Sequence, residues 1–315
     1  MCRRTRASPW ATWKAVAPSP VAGTARPGSG SHRPRCQVDL PYGGINGISC
    51  ASAVDCIAVG GAFILNPQTQ AFADRWDGSR WVALTPWSPK QSELLGVSCL
   101  RTGRCLAVGD TLRSDRTTGA LIAEWWNGRG WHRSRAPRAE SVGVSCLSPR
   151  FCLAAGDQAG AAVERWDGTR WHAPLILDPE TLTTSIASSL GAVECVSIRH
   201  CAAAGFAFTA QGRWRPIASV LTGSRWHRWG FAPAALGGYA SLDSVSCGSP
   251  GACVAVGLSD AAVLIERWNG HRWTREHPPS LGMAGELHSV SCTSASACIA
   301  VGDDGNGNVL VEQRG

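Results

Sequence analysis

The sequence has little lysine, tyrosine and methionine, and no long apolar run. Nothing in it approaches 18 consecutive apolar residues, which excludes a membrane-spanning helix. No stretch keeps a 3.6-residue apolar period for the length of a helix, so the chain does not read as helical. Lys14 and Lys90 are the only lysines among 30 basic residues. With the abundant alanine and glycine, this marks a GC-rich coding sequence and says little about function. A charge field of one sign is missing too. The net charge of +7 is concentrated in the first forty residues, where Arg3, Arg4, Arg6, Lys14, Arg26, Arg33 and Arg35 stand against one acid, Asp39. The remainder is near neutral and lacks the basic face that phosphate binding needs, so no nucleic-acid partner is expected.

What the chain does have is a repeat. Cysteines separated by five residues recur six times, as Cys50/Cys56, Cys99/Cys105, Cys146/Cys152, Cys195/Cys201, Cys247/Cys253 and Cys292/Cys298. The first cysteines of the pairs stand 49, 47, 49, 52 and 45 residues apart, and self-similarity at such a period signals a repeat architecture. Units such as GVSCLRTGRCLAVGD (96–110) and SVSCTSASACIAVGD (289–303) are two apolar runs flanking a polar stretch, which is the pattern of a β-hairpin. Two cysteines across a hairpin can face each other at separations a disulfide accepts, and both partners are kept six times. That argues for pairing in an oxidising compartment. Buried free thiols and a metal site are the alternative readings, although zinc ligand pairs are usually spaced by two to four residues and need a second pair nearby. Each disulfide would close a small loop and stabilise its unit by about 2 to 3 kcal/mol.

A second hairpin follows each of the first five cysteine pairs: ADRWDGSRW to Trp81, AEWWNGRGW to Trp131, VERWDGTRW to Trp171, SVLTGSRW to Trp226 and IERWNGHRW to Trp273. Asp-Gly or Asn-Gly between apolar runs is a strong hairpin signal, because a two-residue type I′ turn needs φ > 0 at both central positions. Such a turn would pair Trp76 with Ser79 and Asp74 with Trp81. It would place both tryptophans on one face with the acid, which could accept an indole N–H. The fourth unit has Leu221 and Thr222 in place of the Trp and Asp or Asn, so its outer edge is expected to be weaker.

Four strands in a unit of about 40 to 50 residues is the length of a propeller blade. On its VSC, CxAVG and W(D/N)GxxW motifs, residues 43–315 resemble kelch-type and Asp-box-type β-propeller repeats, and most closely the cysteine-paired repeats of secreted actinobacterial proteins. The kelch glycine pair is matched at Gly60 and Gly61, and the full Asp-box pattern is matched nowhere. The fold class expected is therefore all-β, a six-bladed β-propeller of four-stranded antiparallel blades. The last unit ends after its third strand, at Val309 to Gln313, and the segment WATWKAV (10–16) supplies a candidate fourth strand that would close the ring. A fragment of a longer propeller is the alternative. The domain plan is then 1–16 as the N-terminal segment with the closing strand, 17–42 as a flexible linker rich in Pro, Gly, Ser and Arg, and 43–315 as one propeller domain together with 9–16. The paired cysteines imply a secreted or cell-surface protein, yet the N-terminus lacks the apolar stretch of a signal peptide, so a truncated start is expected. Cys2 and Cys36 belong to no repeat.

In a propeller the uniform loops and tight turns share one face and the variable connections the other, so a ligand is expected at the variable face. The candidates there are Asp110, Asp157, Asp303, Asp304 and Tyr239, although an Asp after Gly is commonly a turn former. The run Asp303 to Asn308 places oxygen-bearing side chains at alternate positions but lacks the distal glutamate of a calcium loop, and no metal site is expected. His132, His172 and His227 lie on outer strands of different blades and read as surface positions. The indoles read as blade packing before sugar platforms. Kelch and Asp-box resemblances would imply a copper or a sialidase site, but two tyrosines and no matching arginine set fill neither. No cofactor and no catalytic residue are expected. The leading reading is a non-enzymatic, monomeric scaffold that binds a protein or glycan. The alternative is a carbohydrate-active hydrolase using carboxylates at the channel mouth.

Overall fold

The computed structural model describes residues 14–15, 43–64, 68–112, 118–177, 185–231, 238–260, 262–276, 285–306 and 309–314. After β1 (Lys14–Ala15), the first blade consists of β2 (Gly43–Ser52), β3 (Asp55–Ile64), β4 (Gln68–Trp76) and β5 (Trp81–Leu84). The second has β6 (Ser92–Cys99), β7 (Cys105–Leu112), β8 (Thr118–Trp126) and β9 (Trp131–Arg133). The third has β10 (Glu140–Ser148), β11 (Phe151–Asp157), β12 (Ala161–Trp166) and β13 (Leu175–Ile176). The fourth has β14 (Ser185–Ser197), β15 (His200–Thr209), β16 (Trp214–Thr222) and β17 (Arg225–Gly230). The fifth has β18 (Ala240–Ser249), β19 (Ala252–Ser259), β20 (Ala262–Trp268) and β21 (Trp273–Glu276), and the sixth β22 (Glu286–Cys292), β23 (Cys298–Asp303) and β24 (Val309–Arg314).

Each blade is a four-stranded antiparallel meander, and the chain is an all-β, six-bladed β-propeller with no helix among the described residues. The sixth blade takes its fourth strand from the N-terminus, since Lys14 pairs with Gln313 and Ala15 with Glu312. The rest of the expected closing segment, the linker 17–42, Cys2 and Cys36 lie outside the described residues. Two compact units divide the chain: Ala17–Arg135, with blades one and two, and Ala136–Gly315 with Met1–Val16, which holds the other four.

The continuous apolar run after each second cysteine is explained by burial on both faces of the strand. In β19, Val254 and Val256 join Leu287 and Val290 of the sixth blade. Between them, Ala255 turns the other way and packs with Ala204 and Val220 of the fourth. Large side chains on one face and small ones on the other let neighbouring sheets nest, and each buried Val or Leu contributes about 1.5 to 3 kcal/mol. In the two-blade unit, Ile57 and Val59 meet Leu94 and Val97 in the same way. The counterparts Ile299 and Val301 in β23 and Ile48 in β2 are instead exposed.

All six cysteine pairs are disulfides, each between directly opposed residues of one hairpin with Cα atoms 3.9 to 4.0 Å apart. The second cysteine of the pair opens the buried strand, so Cys105, Cys152, Cys201, Cys253 and Cys298 are at most 3% exposed. Cys201 packs with Leu190 and Ile217, and Cys253 with Leu264 and Trp268, as small apolar groups of the core. Cys152 bonds to Cys146 and is wholly covered. With their sulfurs bonded and out of reach of solvent, these residues can offer a ligand or metal nothing, which removes the readings as free thiols or metal ligands.

Blades are also tied by the serine of the VSC motif. Ser49 Oγ accepts the N–H of Cys99 (2.9 Å), Ser145 that of Cys195 (3.0 Å) and Ser246 that of Cys292 (3.0 Å), each in the following blade.

The outer hairpins differ from the sequence expectation in register. Trp76 pairs with Trp81 and Asp74 with Ala83, so the loop has four residues, not two. The reason is the first loop residue. Asp77 Oδ1 accepts the N–H groups of both Ser79 and Arg80 at 2.9 Å, and Gly78 takes φ +95°. This side-chain-capped turn competes with a type I′ turn and wins. It recurs at Asn127, Asp167 and Asn269. Opposed indoles follow, with ring centroids 5.6 to 5.9 Å apart in four blades. The fourth blade lacks the capping Asp or Asn and does make the two-residue turn, with Thr222 opposite Arg225. Its outer strand runs for six residues, the longest outer strand among the described residues.

In the second and third blades the acid on the third strand is held by a backbone connection and not by an indole. Glu124 accepts the N–H of Trp87 at 2.7 Å and the hydroxyl of Ser88, and Glu164 accepts the N–H groups of Arg138 and Ala139. These buried carboxylates fasten the connection that leads into their own blade. Burial raises the pKa of both, and the hydrogen bonds they accept pull the other way.

Candidate functional site

The site is built by a repeated irregularity in the first strand of each blade. Four positions before the first cysteine, the register slips by one residue, at Asn46, Leu95, Val142, Gly191, Asp243 and His288. Such a bulge leaves one residue outside the ladder and re-aims its side chain. It also brings the backbones of strands one and two together. A Cβ on Gly60 would lie 2.0 Å from the carbonyl oxygen of Gly44, on Gly109 2.1 Å from that of Glu93, and on Gly302 1.8 Å from that of Glu286. The glycine of the CxAVG motif is therefore demanded by the bulge. What varies freely is the bulged residue, and it is polar and ionisable only in the last two blades.

There Asp243 and His288 meet Glu286. One oxygen or nitrogen of each lies within 4.8 Å of the others. His288 Nε2 is 2.8 Å from Asp303 Oδ2, and its Nδ1 is 3.7 Å from Glu286 Oε1. Asp303 reaches the cluster because it stands opposite Glu286 in the ladder. Ser241 donates to Asp243 Oδ1 at 2.6 Å. Tyr239, just before β18, is 39% exposed, and its ring centroid lies 4.5 Å from that of Trp214. Phe206 and Phe208 back Trp214 at 4.8 and 5.1 Å. All these residues belong to the four-blade unit and lie at the strand ends remote from the disulfides, where the variable connections are.

Partial burial, together with a hydrogen bond and repulsion from Asp243, pushes the Glu286 carboxyl up to about 7, while His288 pulls it down. Two carboxyl groups in contact hold one proton between them more readily than two charges. Burial raises the Tyr239 phenol, and Asp243 and Glu286 add to that. The hydrogen bonds from His288 and the Gly305 N–H keep Asp303 below its ordinary value. Farther along β14, Glu194 occupies the VSC serine position; burial pushes it up to about 7 against a hydrogen bond from Ser246.

Of the residues expected from sequence, Asp303 and Tyr239 come together here. Asp304 accepts the N–H of Asn306 at 2.9 Å, and Asp303 also accepts that of Gly305, so the described part of the suspected calcium run, Asp303 to Asn306, forms turns. Asp157 accepts the N–H of Gly160 at 2.9 Å and caps a turn in the third blade. Asp110 is buried opposite Glu93 in the two-blade unit. Sequence reasoning missed Asp243, Glu286, His288 and Trp214, because no motif marks a bulge. The one available signal was that the position four before the cysteine is ionisable only in the last two units. Two carboxylates and an imidazole are a donor set that could hold a divalent cation, although His288 Nε2 is already engaged by Asp303.

No family model matches the chain, and no curated protein matches it. Solved structures do match in fold. The structure of U3-55K aligns at 12% identity with a TM-score of 0.53, covering 82% of this chain and 74% of that one. The WD40 repeats of RRP9 align at 13% identity and a TM-score of 0.50, covering 85% and 79%. A GH74 xyloglucanase from Xanthomonas campestris aligns at 14% identity and a TM-score of 0.54, covering 96% of this chain but 45% of the enzyme. At these identities the likeness is one of fold alone: a six-bladed propeller with WD40-like neighbours.

Proposed function

We propose that this protein is a non-enzymatic extracytoplasmic propeller that binds a protein or glycan at the variable-loop ends of blades four to six. One observation carries the reading. Tyr239 and Asp243 of blade five converge with Glu286, His288 and Asp303 of blade six at partly open strand ends. Six hairpin disulfides support an oxidising, extracellular setting. The cysteine-paired repeat of secreted actinobacterial proteins, akin to kelch and Asp-box repeats, remains the family we propose on the VSC and W(D/N)GxxW motifs. A hydrolase fits less well. Glycosidase carboxyl groups stand about 5 to 5.5 Å apart for retention or about 6.5 to 9.5 Å for inversion, whereas Asp243 and Glu286 are hydrogen-bonded to each other.

Glycan and peptide arrays run beside a hydrolase panel test this. Binding that falls at least tenfold in Asp243→Asn and is unchanged in Asp157→Asn is expected, with no turnover. Turnover lost in Glu286→Gln would favour the hydrolase instead.

A further inference from the structure

We propose that the face formed by Tyr239, Trp214, Asp243, Glu286 and Asp303 docks a basic side chain, an arginine above all, presented by a peptide segment of a protein partner. This rests on the reading of these strand ends as the binding face. Charge complementarity carries it. Several acids elsewhere in this chain are met by arginines, as Asp55 is by Arg75 at 2.7 Å, Glu266 by Arg275 at 2.9 Å and Glu276 by Arg314 at 2.8 Å. Among the described residues no arginine or lysine pairs with Asp243, Glu286 or Asp303, and the one basic group beside them is His288. Even with one proton shared between Asp243 and Glu286, that pair and Asp303 carry more negative charge than one imidazole can offset, which leaves room for a cation.

The donor and acceptor balance selects among ligands. Sugar hydroxyls need donors as well as acceptors, and here acceptors dominate. A small metal ion would have to draw His288 Nε2 away from Asp303, 2.8 Å off. A guanidinium supplies a planar fork of N–H donors that a carboxylate can accept in pairs, and it lies flat against aromatic rings. Tyr239, held against Trp214, offers such a ring at the open side. The chain already uses this contact internally, with Arg133 4.9 Å from the centre of Trp87 and Arg104 5.5 Å from that of Trp125.

An array of decapeptides in matched sets, differing only in Arg, Lys or Gln at the central position, tests the inference alongside a glycan array and Mn²⁺ titration. Expected is retention of Arg peptides over Gln peptides by at least tenfold, with Lys between. That preference should fall at least tenfold in Asp243→Asn and in Tyr239→Ala, each shown folded by an unchanged near-UV spectrum. It should weaken with added salt. It should also weaken as pH falls through about 7, where Glu286 takes up a proton; His288, Asp243, Asp303 and the Tyr239 phenol face the same site. Equal retention of Arg and Gln peptides, no effect of Asp243→Asn, or Mn²⁺ binding lost in His288→Ala without peptide binding would overturn it. Glycan binding sensitive to Asp243→Asn would overturn the arginine inference and leave the binding face standing. Silence on all three probes would sink both.

Discussion

Gly109 shows how a single hydrogen atom in place of a methyl group can decide a repeat. Its Cα lies so near the Glu93 carbonyl that an added Cβ would sit 2.1 Å from the oxygen and 2.8 Å from Leu94 Cα. Both obstacles are backbone, so neither can rotate away. Gly109→Ala is expected to destabilise by about 3 kcal/mol or more, as overpacking against immovable atoms does. Gly130 is the control: nothing lies within 4 Å of its would-be Cβ, and Gly130→Ala should stay within about 0.5 kcal/mol. Urea unfolding of the two variants beside the parent measures the difference. Equal losses would remove the steric explanation of the CxAVG glycine. The same bulge releases Asp243 and His288 from the ladder, so a structural constraint and a candidate site share one origin.

At the scale of the strand, the reading from sequence succeeded where each residue's role is local. Alternating apolar runs, a polar five-residue break and paired cysteines specify an inner hairpin whatever surrounds it, and the structure has six. The orphan strand near Lys14 was legible because the last unit visibly lacked its fourth. The outer hairpin was misread by two residues of register. An Asp-Gly pair suits a type I′ turn, but Asp77 spends its side chain on the N–H groups of Ser79 and Arg80 and lengthens the loop. Asp243, Glu286 and His288 were illegible because their meeting depends on bulges and on two neighbouring blades. Strand β14 carries a further consequence. Glu194 stands where every other unit has serine, with its carboxyl pushed up to about 7 by burial. A folded-state value above the unfolded one, about 4.5, means its favourable share is complete below pH 4.5 and is lost as pH rises through 7. Glu194→Gln should therefore leave stability near pH 4 unchanged and raise the melting temperature at pH 8. Melting curves at the two pH values read this directly. An equal shift at both would mean that packing, not ionisation, separates the variants.

For the molecule as a whole, stability is distributed over modules that repeat the same devices. Each sheet has its own disulfide, and the serine of one blade accepts the cysteine N–H of the next at Ser49, Ser145 and Ser246. Apolar faces nest between neighbouring sheets within each unit. An architecture that clips every module separately fits a chain folding outside a reducing compartment, since each small loop can close without waiting for distant partners. The account depends on sulfur being paired within blades and not between them. Peptide mapping of the unreduced protein by mass spectrometry tests that claim most directly. Six links are expected, Cys50 to Cys56, Cys99 to Cys105, Cys146 to Cys152, Cys195 to Cys201, Cys247 to Cys253 and Cys292 to Cys298, with none of these twelve thiols open to alkylation after denaturation. A link joining cysteines of different blades, or alkylated thiols among the twelve, would contradict it.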